Sequence, residues 1–547
     1  MAILPAFLAL YPTVMLLVGS FSDAPLGVPG RFTLVNYTRA YGDPQTYWLI
    51  GTSVVFAAGS SLLSLALGGL LAWITIRTNA PGRRVFQFVA LAPNVLPPVL
   101  IATSWALLLS PRIGILNLAI VRPLGLPPLN IYSLPGMVAV EGLILTPLAF
   151  IILAGAFHSM DPAFEEAALI TGSSSLQTAR RITVPLVLPA GLAAGMLNFV
   201  RAVESFDTPA IIALPARIDV LTTKIFREAL ADYPPNHNLA ATYGTSLLAI
   251  TMLSVLLYRS LTRGTERFAT ITSRAYRSHT VDLGRWRYAA SAAALLILCL
   301  VVLLPVAMLL LTSVLPFYEV PTRHTLGMLT LKHYAFLLEN DRVRRALHHS
   351  LTLAGVGATA AMLLATSVAY VTVRTRAPGR GVLEALTFIP WAFPGTALAI
   401  GLLWGYVRIP VPIYATIWIL LIAYVTRFLP FGLRVMTGTM VQVHGELEEA
   451  SRVCGAGLIT TFRRILFPLL RPGFIAGWTL LATIFMREFS TSLFLYTPRS
   501  EPLGPLLYHL WMDGAQGRMA ALGVVVSLVS LALIALVRRV ARLTLPG

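Results

Sequence analysis

Twelve apolar segments, each close to the length that a helix needs to cross a bilayer, recur along this chain of 547 residues. Charged residues make up only 12% of the sequence, against about 25% in a soluble domain. The sequence therefore predicts an all-α polytopic membrane protein with about twelve transmembrane helices. The segments lie near residues 2–20, 48–75, 86–110, 134–157, 186–204, 239–260, 288–315, 348–373, 383–407, 411–435, 472–495 and 518–537.

The basic residues indicate how the chain crosses the membrane. The net charge is +18, and arginines cluster in alternate loops and near the C-terminus. Cytoplasmic loops of membrane proteins carry an excess of Lys and Arg. We therefore expect a multi-pass protein of the cell (inner) membrane with both termini cytoplasmic, and we attribute the charge to topology and not to nucleic-acid binding. No basic start followed by a cleavage site precedes the first segment, so no cleaved signal peptide is expected.

One polar stretch occurs twice between the apolar segments. Residues 165–189 and 448–472, aligned from end to end, are identical at eleven of 25 positions. Chance would give about one or two identities, so the match indicates an internal duplication. A second pair of loops, around Pro81 and Pro378, repeats at a slightly larger offset along the chain.

The duplication predicts the domain organisation. Because each copy lies in a set of six apolar segments, the chain is expected to contain two six-helix repeats of the same orientation. The first repeat is predicted to span residues 1–262 and the second to span residues 288–547. A short cytoplasmic linker, 263–287, is predicted to join them.

Each copy of the polar stretch is predicted to form a short helix, a turn and a second, basic helix that leads into the membrane. In the first copy, residues 161–189, Asp161 and Pro162 are typical of a helix start and Gly172 of a helix end. The second copy is residues 444–472. An amphipathic helix lying on the membrane is the alternative, but it does not explain why the spacing of glycine and proline repeats.

The two copies resemble the EAA loop of ABC-transporter permeases, in which Glu-Ala-Ala is followed by a glycine and then by Ile-x-Leu-Pro. The matching stretch of the first copy contains Glu165, Glu166, Ala167, Ala168, Gly172 and Pro185. That of the second copy contains Glu448, Glu449, Ala450, Ser451, Gly455 and Pro468, with a serine in place of the second alanine. The resemblance implies that both EAA-like loops are coupling helices, each docking on one of two copies of an ATP-binding subunit.

The sequence contains no constellation that would catalyse bond chemistry. It has no Gly-x-x-x-x-Gly-Lys-Ser/Thr loop for ATP and no nucleophile elbow, and its nine histidines are scattered. We therefore expect no enzymatic activity, no cofactor and no metal site in this chain. The energy for any transport is expected to come from a partner, because an ion-coupled transporter would need ionisable groups near the bilayer midplane.

Four ionisable residues near the ends of the fifth and eleventh segments are candidates for the translocation path or its gate. They are Glu204, Asp207, Arg487 and Glu488. In the permease family the fifth span of each half lines the path, so the resemblance implies this role. An ion pair that fixes the helix ends is the alternative, and ligation of a substrate ion is a third.

The fused, two-copy layout and the stretches 216–238 and 496–517 resemble the ferric-iron branch of these permeases. The resemblance implies a permease subunit for ferric iron, supplied by an extracytoplasmic substrate-binding protein that docks on those two stretches. The polyamine, thiamine and phosphonate branches share much of the pattern and stay open as alternatives. A twelve-span secondary transporter and an integral-membrane enzyme are the alternatives from other classes.

Overall fold

The computed structural model describes residues 3–161, 163–262, 281–320, 322–411 and 413–544, and these form helices joined by loops. Most of the predicted linker 263–287 and Pro162 lie outside the described residues. Nine helices of the described part are long and apolar enough to cross a membrane. Three shorter apolar helices, Leu4–Ser20, Pro98–Leu109 and Gly395–Tyr406, lie at the other three predicted positions. The prediction of an all-α polytopic membrane protein is confirmed.

We number the twelve helices as spans in chain order. The first six are span 1 (Ile3–Ser20), span 2 (Pro44–Arg77), span 3 (Pro98–Leu109), span 4 (Leu134–Ser159), span 5 (Val184–Glu204) and span 6 (His237–Thr262). The others are span 7 (Trp286–Val314), span 8 (Asp341–Arg374), span 9 (Gly395–Tyr406), span 10 (Ile417–Val441), span 11 (Phe467–Met486) and span 12 (Gln516–Thr544).

Spans 3 and 9 differ from the unbroken helices predicted over 86–110 and 383–407. The first region consists of a helix, Arg83–Val89, a 3-10 turn, Ala92–Val95, and span 3. The second consists of Arg380–Phe388, Ile389–Ala392 and span 9. Prolines explain both breaks, because the ring removes a backbone donor and disfavours helical backbone in the preceding residue.

Span 10 begins and ends later than the predicted 411–435. Its first residue is Ile417, because the Thr416 hydroxyl oxygen accepts a hydrogen bond from the Trp418 backbone amide (3.3 Å) and caps the helix. The helix then continues to Val441. Apolar residues before Thr416 therefore belong to a loop, which hydropathy alone did not separate from the span.

The described chain packs as two compact units that do not follow the order of the sequence. Unit 1 contains Met1–Asp43, Lys224–Leu248 and Leu331–Gly547, and unit 2 contains Pro44–Thr223 and Ala249–Thr330. The first span of each sequence half thus packs with the other half's helices: span 1 lies against span 9 in unit 1, and span 7 lies against span 3 in unit 2. The predicted domain boundaries concern the duplication of the sequence, and they stay a prediction.

Glycines allow spans 1 and 9 to pack closely. A Cβ atom added to Gly401 would stand 2.2 Å from the Pro12 carbonyl oxygen, and one added to Gly405 would stand 2.5 Å from the Tyr11 ring. The Tyr11 hydroxyl also donates a hydrogen bond to the Gly405 carbonyl oxygen (2.9 Å). Glycines one helical turn apart on one face let helix backbones approach closely, which drives helix association where the hydrophobic effect is absent.

In unit 2, polar side chains join spans 2 and 5. The Ser61 hydroxyl donates to the Gly195 carbonyl oxygen (2.6 Å), and the Asn198 amide nitrogen donates to the Ser64 hydroxyl oxygen (2.6 Å). The end of the linker is fixed to the same unit, because the Val281 amide donates to the Arg77 carbonyl oxygen (2.7 Å). The first two bonds join the middle of span 2 to span 5, and the third fixes the predicted cytoplasmic end of span 2.

Substitution of Gly401 by alanine is expected to destabilise the protein, because the added methyl group collides with a backbone oxygen that cannot rotate away. Overpacking of this kind costs about 1–3 kcal/mol. The measurement is thermal unfolding of the purified chain in detergent micelles, where the melting temperature should fall.

Gly438→Ala is the matched control, since a Cβ atom at this helical position meets nothing within 4 Å. Alanine favours helix over glycine by about 1 kcal/mol at such a position, so the melting temperature should rise or stay unchanged. Equal effects of the two substitutions would contradict the close packing of spans 1 and 9.

Candidate functional site

The two EAA-like loops have the predicted helix–turn–helix structure. The first contains the helices Ala163–Ile170 and Ser175–Thr178, and the second contains Glu446–Val453 and Leu458–Thr461. In both copies the second helix continues through a π-helical turn into the following span. The predicted local structure of these stretches is therefore confirmed.

The same glycine motif ends the first helix of each loop. Gly172 has φ +86° and Gly455 has φ +80°, a region in which other residues are strained. The Ser173 amide donates to the Ala168 carbonyl oxygen (3.0 Å), and at the equivalent position Ala456 donates to Ser451 (3.1 Å). This is the Schellman arrangement, which satisfies the free carbonyl groups at a helix end. The glycines are thus required by backbone geometry.

The prolines of the motif lie where a helix tolerates them. Pro185 and Pro468 occupy the first turns of spans 5 and 11. A π-helical turn directly precedes each span, so the amide that proline lacks falls where the regular hydrogen-bond ladder is already interrupted. Each proline therefore marks the point where the second helix of the loop becomes a span.

The alanine positions of the motif divide between an exposed and a buried face. Ala167, Glu449 and Ala450 are exposed, whereas Ala168 and Ser451 are buried against their own loops. The buried Ser451 hydroxyl shares a hydrogen bond with Thr461 (2.9 Å), which explains how a serine replaces the second alanine of the motif. Each short helix thus presents small side chains outward.

Exposed apolar side chains flank these small residues at equivalent places in both loops. Phe164 is 47% exposed, and Leu447, its counterpart in the second loop, is 44% exposed. Ile170 is 86% exposed, and its counterpart Val453 is 89% exposed. Exposed apolar groups on a polar loop indicate an interaction surface. Comparing the copies position by position could have found these four residues in the sequence.

An ion pair ties the first helix of each loop to the end of an earlier span. Arg77, the last residue of span 2, binds the Glu165 carboxylate through Nη2. Arg374, the last residue of span 8, has its Nε atom 3.2 Å from Oε1 of Glu448. The two glutamates occupy equivalent positions of the EAA-like loops, and the two arginines occupy equivalent positions of the other repeated loop pair. The first glutamate of each motif is therefore a structural partner of a span.

Two of the four path candidates are held within their own units. Glu204 is buried and pairs with Arg201, one helical turn away (3.2 Å). Glu488 is buried and accepts hydrogen bonds from Arg427 Nη1 (2.8 Å) and from the Thr491 amide (2.9 Å). These contacts fit the alternative of ion pairs that fix helix ends.

The other two path candidates, Asp207 and Arg487, are half-buried. Asp207 lies shortly after the end of span 5, and Arg487 directly follows the last residue of span 11. A role of any of the four residues in translocation stays a prediction.

The buried carboxylate of Glu141 in span 4 was missed by the sequence analysis. It accepts hydrogen bonds from the Thr208 hydroxyl (2.6 Å) and the Ser205 hydroxyl (3.1 Å), which follow span 5. Glu141 is 3% exposed. A lone acid inside an apolar segment is an available sequence signal, since such residues are costly to bury and require partners.

The second half has an equivalent contact between its fourth span and the residues after its fifth span, but the carboxylate and the hydroxyl group have changed places. The positions equivalent to Glu141 and Ser205 are Tyr424 and Glu488. The Tyr424 hydroxyl bonds to Ser492, whose hydroxyl donates to Glu488 (2.8 Å). In each half one carboxylate thus joins the fourth span to the break after the fifth, but the carboxylate belongs to opposite members of the pair.

The predicted docking stretch 496–517 is largely buried. Burial would raise the pKa of Glu501, yet hydrogen bonds from His509 (2.9 Å) and Arg342 (2.6 Å) and the positive charge of Arg342 hold this pKa below its usual range. Through the bond from Arg342 this carboxylate ties the stretch to span 8, within unit 1. Only its turns, near residues 498–499 and 512–514, are exposed.

Within the described residues, no group of three or more His, Cys, Asp and Glu side chains is arranged to hold a metal ion. The candidate site described above consists of exposed apolar surfaces and ion pairs. The two EAA-like loops are its duplicated element.

Comparison with known proteins agrees with these features. The profile of a family described as the inner membrane component of binding-protein-dependent transport systems matches residues 64–316 and 356–545. The ferric transport system permease protein FbpB of Actinobacillus pleuropneumoniae is 26% identical over 538 residues, which is 96% of this chain and 75% of FbpB. The spermidine/putrescine transport system permease protein PotC of Escherichia coli K12 is 29% identical over 213 residues, 39% of this chain and 80% of PotC.

The profile matches two segments, of which the first extends through the linker and span 7, so the family's domain is present twice in this chain. The two matched segments together cover well over half of the sequence. The chain therefore belongs to the family of inner-membrane components of binding-protein-dependent transport systems, and it is a multi-pass permease of the ABC importer type.

Proposed function

We propose that this chain is the permease subunit of an ATP-driven ferric-iron importer. Two copies of a separate ATP-binding subunit dock on the two EAA-like loops from the cytoplasm, where both termini also lie. An extracytoplasmic binding protein delivers the cargo to the opposite face. The first six spans, in residues 1–262, and the last six, in residues 288–547, form the two halves of the path.

The observation that carries the coupling role is the duplicated apolar surface. Ile170 and Val453 are almost fully exposed at equivalent positions of short helices that also carry polar groups and small residues. Leaving such side chains in water is unfavourable by about 1.5–3 kcal/mol each relative to full burial. Two equivalent surfaces on one chain fit a partner that binds as two identical copies.

Small residues beside these side chains let a partner approach closely. Ala167 and Ala450 are exposed on the same short helices. Glu449, whose counterpart in the sequence of the first loop is Glu166, would meet the partner at the rim of this surface. Electrostatic complementarity at a rim sets orientation and association rate more than affinity.

The double variant Ile170→Asp with Val453→Asp is expected to abolish co-purification of the ATP-binding subunit, because each change places a charge at the centre of an apolar contact. A charged group buried at an interface without a partner costs several kcal/mol, on the order of a thousandfold in affinity. The measurement is the ratio of the two subunits after affinity purification from membranes.

Met512→Asp is the control for this test. Met512 is 60% exposed, apolar, and lies on the stretch predicted to be extracytoplasmic. Its substitution should leave the subunit ratio unchanged. Full retention of the ATP-binding subunit by the double variant would contradict the assignment of the two loops as coupling helices.

Similarity along nearly the whole chain supports ferric iron as the cargo. FbpB, whose name refers to ferric transport, matches 96% of this chain, whereas PotC, whose name refers to spermidine and putrescine, matches 39%. Relatives that align with both permease halves are thus found among proteins named as ferric transport permeases. Polyamine transport is the second candidate.

Deletion of the gene for this chain is expected to abolish high-affinity uptake of ⁵⁵Fe(III) by intact cells, and the restored gene should return it. Unlabelled Ga³⁺, which has the same charge and a similar radius, should compete for uptake, and spermidine should not. Dependence of labelled spermidine uptake on this chain, with iron uptake unchanged, would replace ferric iron by polyamine as the cargo.

The proposal assigns two different roles in the translocation path to the four candidate residues, Glu204, Asp207, Arg487 and Glu488. Asp207 and Arg487 are half-buried at the ends of spans 5 and 11, where a gate residue would be reached by solvent. Glu204 and Glu488 would act on these ends by fixing their positions through Arg201 and Arg427.

A further inference from the structure

The ion pairs Arg77–Glu165 and Arg374–Glu448 join elements that are far apart in the sequence. The partners of the first pair lie 88 residues apart. Those of the second pair are separated by a stretch that is nearly as long. In each pair the arginine is the last residue of a span, and the glutamate lies near the start of an EAA-like helix. The duplication has therefore kept one long-range contact in both halves.

Both pairs are largely shielded from water. The side chains of Arg77 and Glu165 are 1% and 13% exposed, and those of Arg374 and Glu448 are 13% and 7% exposed. A surface ion pair contributes little, whereas removal of one partner from a buried pair leaves a charge that water cannot reach. The contact is thus sensitive to the loss of either member.

Additional hydrogen bonds extend each pair into the neighbouring structure. In the first half, the Thr183 hydroxyl donates to Oε1 of Glu165 (2.6 Å), so this carboxylate also holds the start of span 5. In the second half, Arg374 Nη2 donates to the carbonyl oxygens of Met440 (2.9 Å) and Val443 at the end of span 10. A cation is favoured at a helix C-terminus, where carbonyl groups are free.

The helices that carry the glutamates need such anchors. Ala163–Ile170 and Glu446–Val453 each contain eight residues, which is too short for a stable isolated helix. A turn at a glycine follows each of them, at Gly172 and Gly455. A force applied to an unanchored helix of this kind would be absorbed by the turn.

We propose that Arg77 and Arg374 are positioning residues that fix each EAA-like helix to the end of span 2 or span 8, so that its displacement moves these spans. This inference rests on the proposed coupling role of the loops. It adds the contacts through which a displacement of the loops would reach the membrane-spanning helices. Movement of Glu165 pulls on span 2 and the start of span 5. Movement of Glu448 pulls on span 8 and the end of span 10.

The native thiol of Cys454 allows a direct test in the second half. Cys454 is exposed at the end of the helix that carries Glu448, and Cys299 is the other cysteine of the chain. In full-length protein carrying Cys299→Ser, a nitroxide spin label on Cys454 reports the mobility of this helix. Arg374→Gln should increase the mobile fraction of the label severalfold, because the helix loses its anchor.

Arg376→Gln is the matched control, since Arg376 is exposed in the loop that follows span 8 and loses the same charge. It should leave the label unchanged. The double variant Arg374→Gln with Glu448→Gln should be no more mobile than Arg374→Gln alone, because both changes remove one contact. Equal label mobility in the parent chain and in Arg374→Gln would overturn the proposal.

The second measurement is coupling in the reconstituted complex with the ATP-binding subunit. Arg374→Gln should raise the number of ATP molecules hydrolysed per ⁵⁵Fe(III) ion transported by about fivefold or more. Fivefold is about the lower end of the effects that loss of a coupling free energy between two sites produces. Arg77→Gln should act in the same direction, with the exposed Arg84→Gln as its control. Unchanged coupling, or a loss of uptake and hydrolysis in proportion to protein level, would overturn the positioning role.

Failure of the proposed function would look different. A parent complex without ATP-dependent uptake would contradict the importer assignment itself. The spin-label comparison would still decide whether Arg374 fixes its helix, because it needs only the full-length chain in a membrane.

Discussion

Within the hydrocarbon of a bilayer every backbone amide and carbonyl must find its partner inside the protein, and the architecture depends on this constraint. It explains why long uninterrupted helices carry most of the chain. It also explains where the helices break. Pro93 and Pro97 before span 3, and Pro390 and Pro394 before span 9, are all buried in protein. Irregular backbone is tolerated at membrane depth only in such places, so these two enclosed spans are also two that can be short.

The duplicated halves share a geometry more closely than they share residues. The turn after each EAA-like helix uses the same glycine and the same hydrogen bond, because backbone shape leaves no alternative. The junction near Glu141 and Glu488 is different, since a carboxylate can be supplied by either side of a contact. The two halves therefore keep the same residue where the backbone conformation requires it. Where a contact needs only a pair of complementary side chains, the two members can exchange positions.

Much of this organisation can be predicted from the sequence, and there are physical reasons why the remaining features cannot. Hydropathy located the spans, because burial in lipid requires long apolar runs, but it could not find the start of span 10, which a single threonine cap decides. The helix–turn–helix form of the loops followed from Gly172 and Gly455. The partners of Glu165 and Glu448 did not, because contacts between residues so distant in the sequence depend on tertiary packing.

The exchange of spans 1 and 7 has a consequence for how such a protein is made and divided. Because span 1 packs with the helices of unit 1, which come mostly from the second half, the repeat seen in the sequence is not the unit that is closed in space. A break in the linker would divide the chain into two polypeptides. The first helix of each polypeptide would still pack against helices of the other polypeptide. Because the partners of span 1 are made last, the first repeat can complete its packing only when the second repeat has been synthesised.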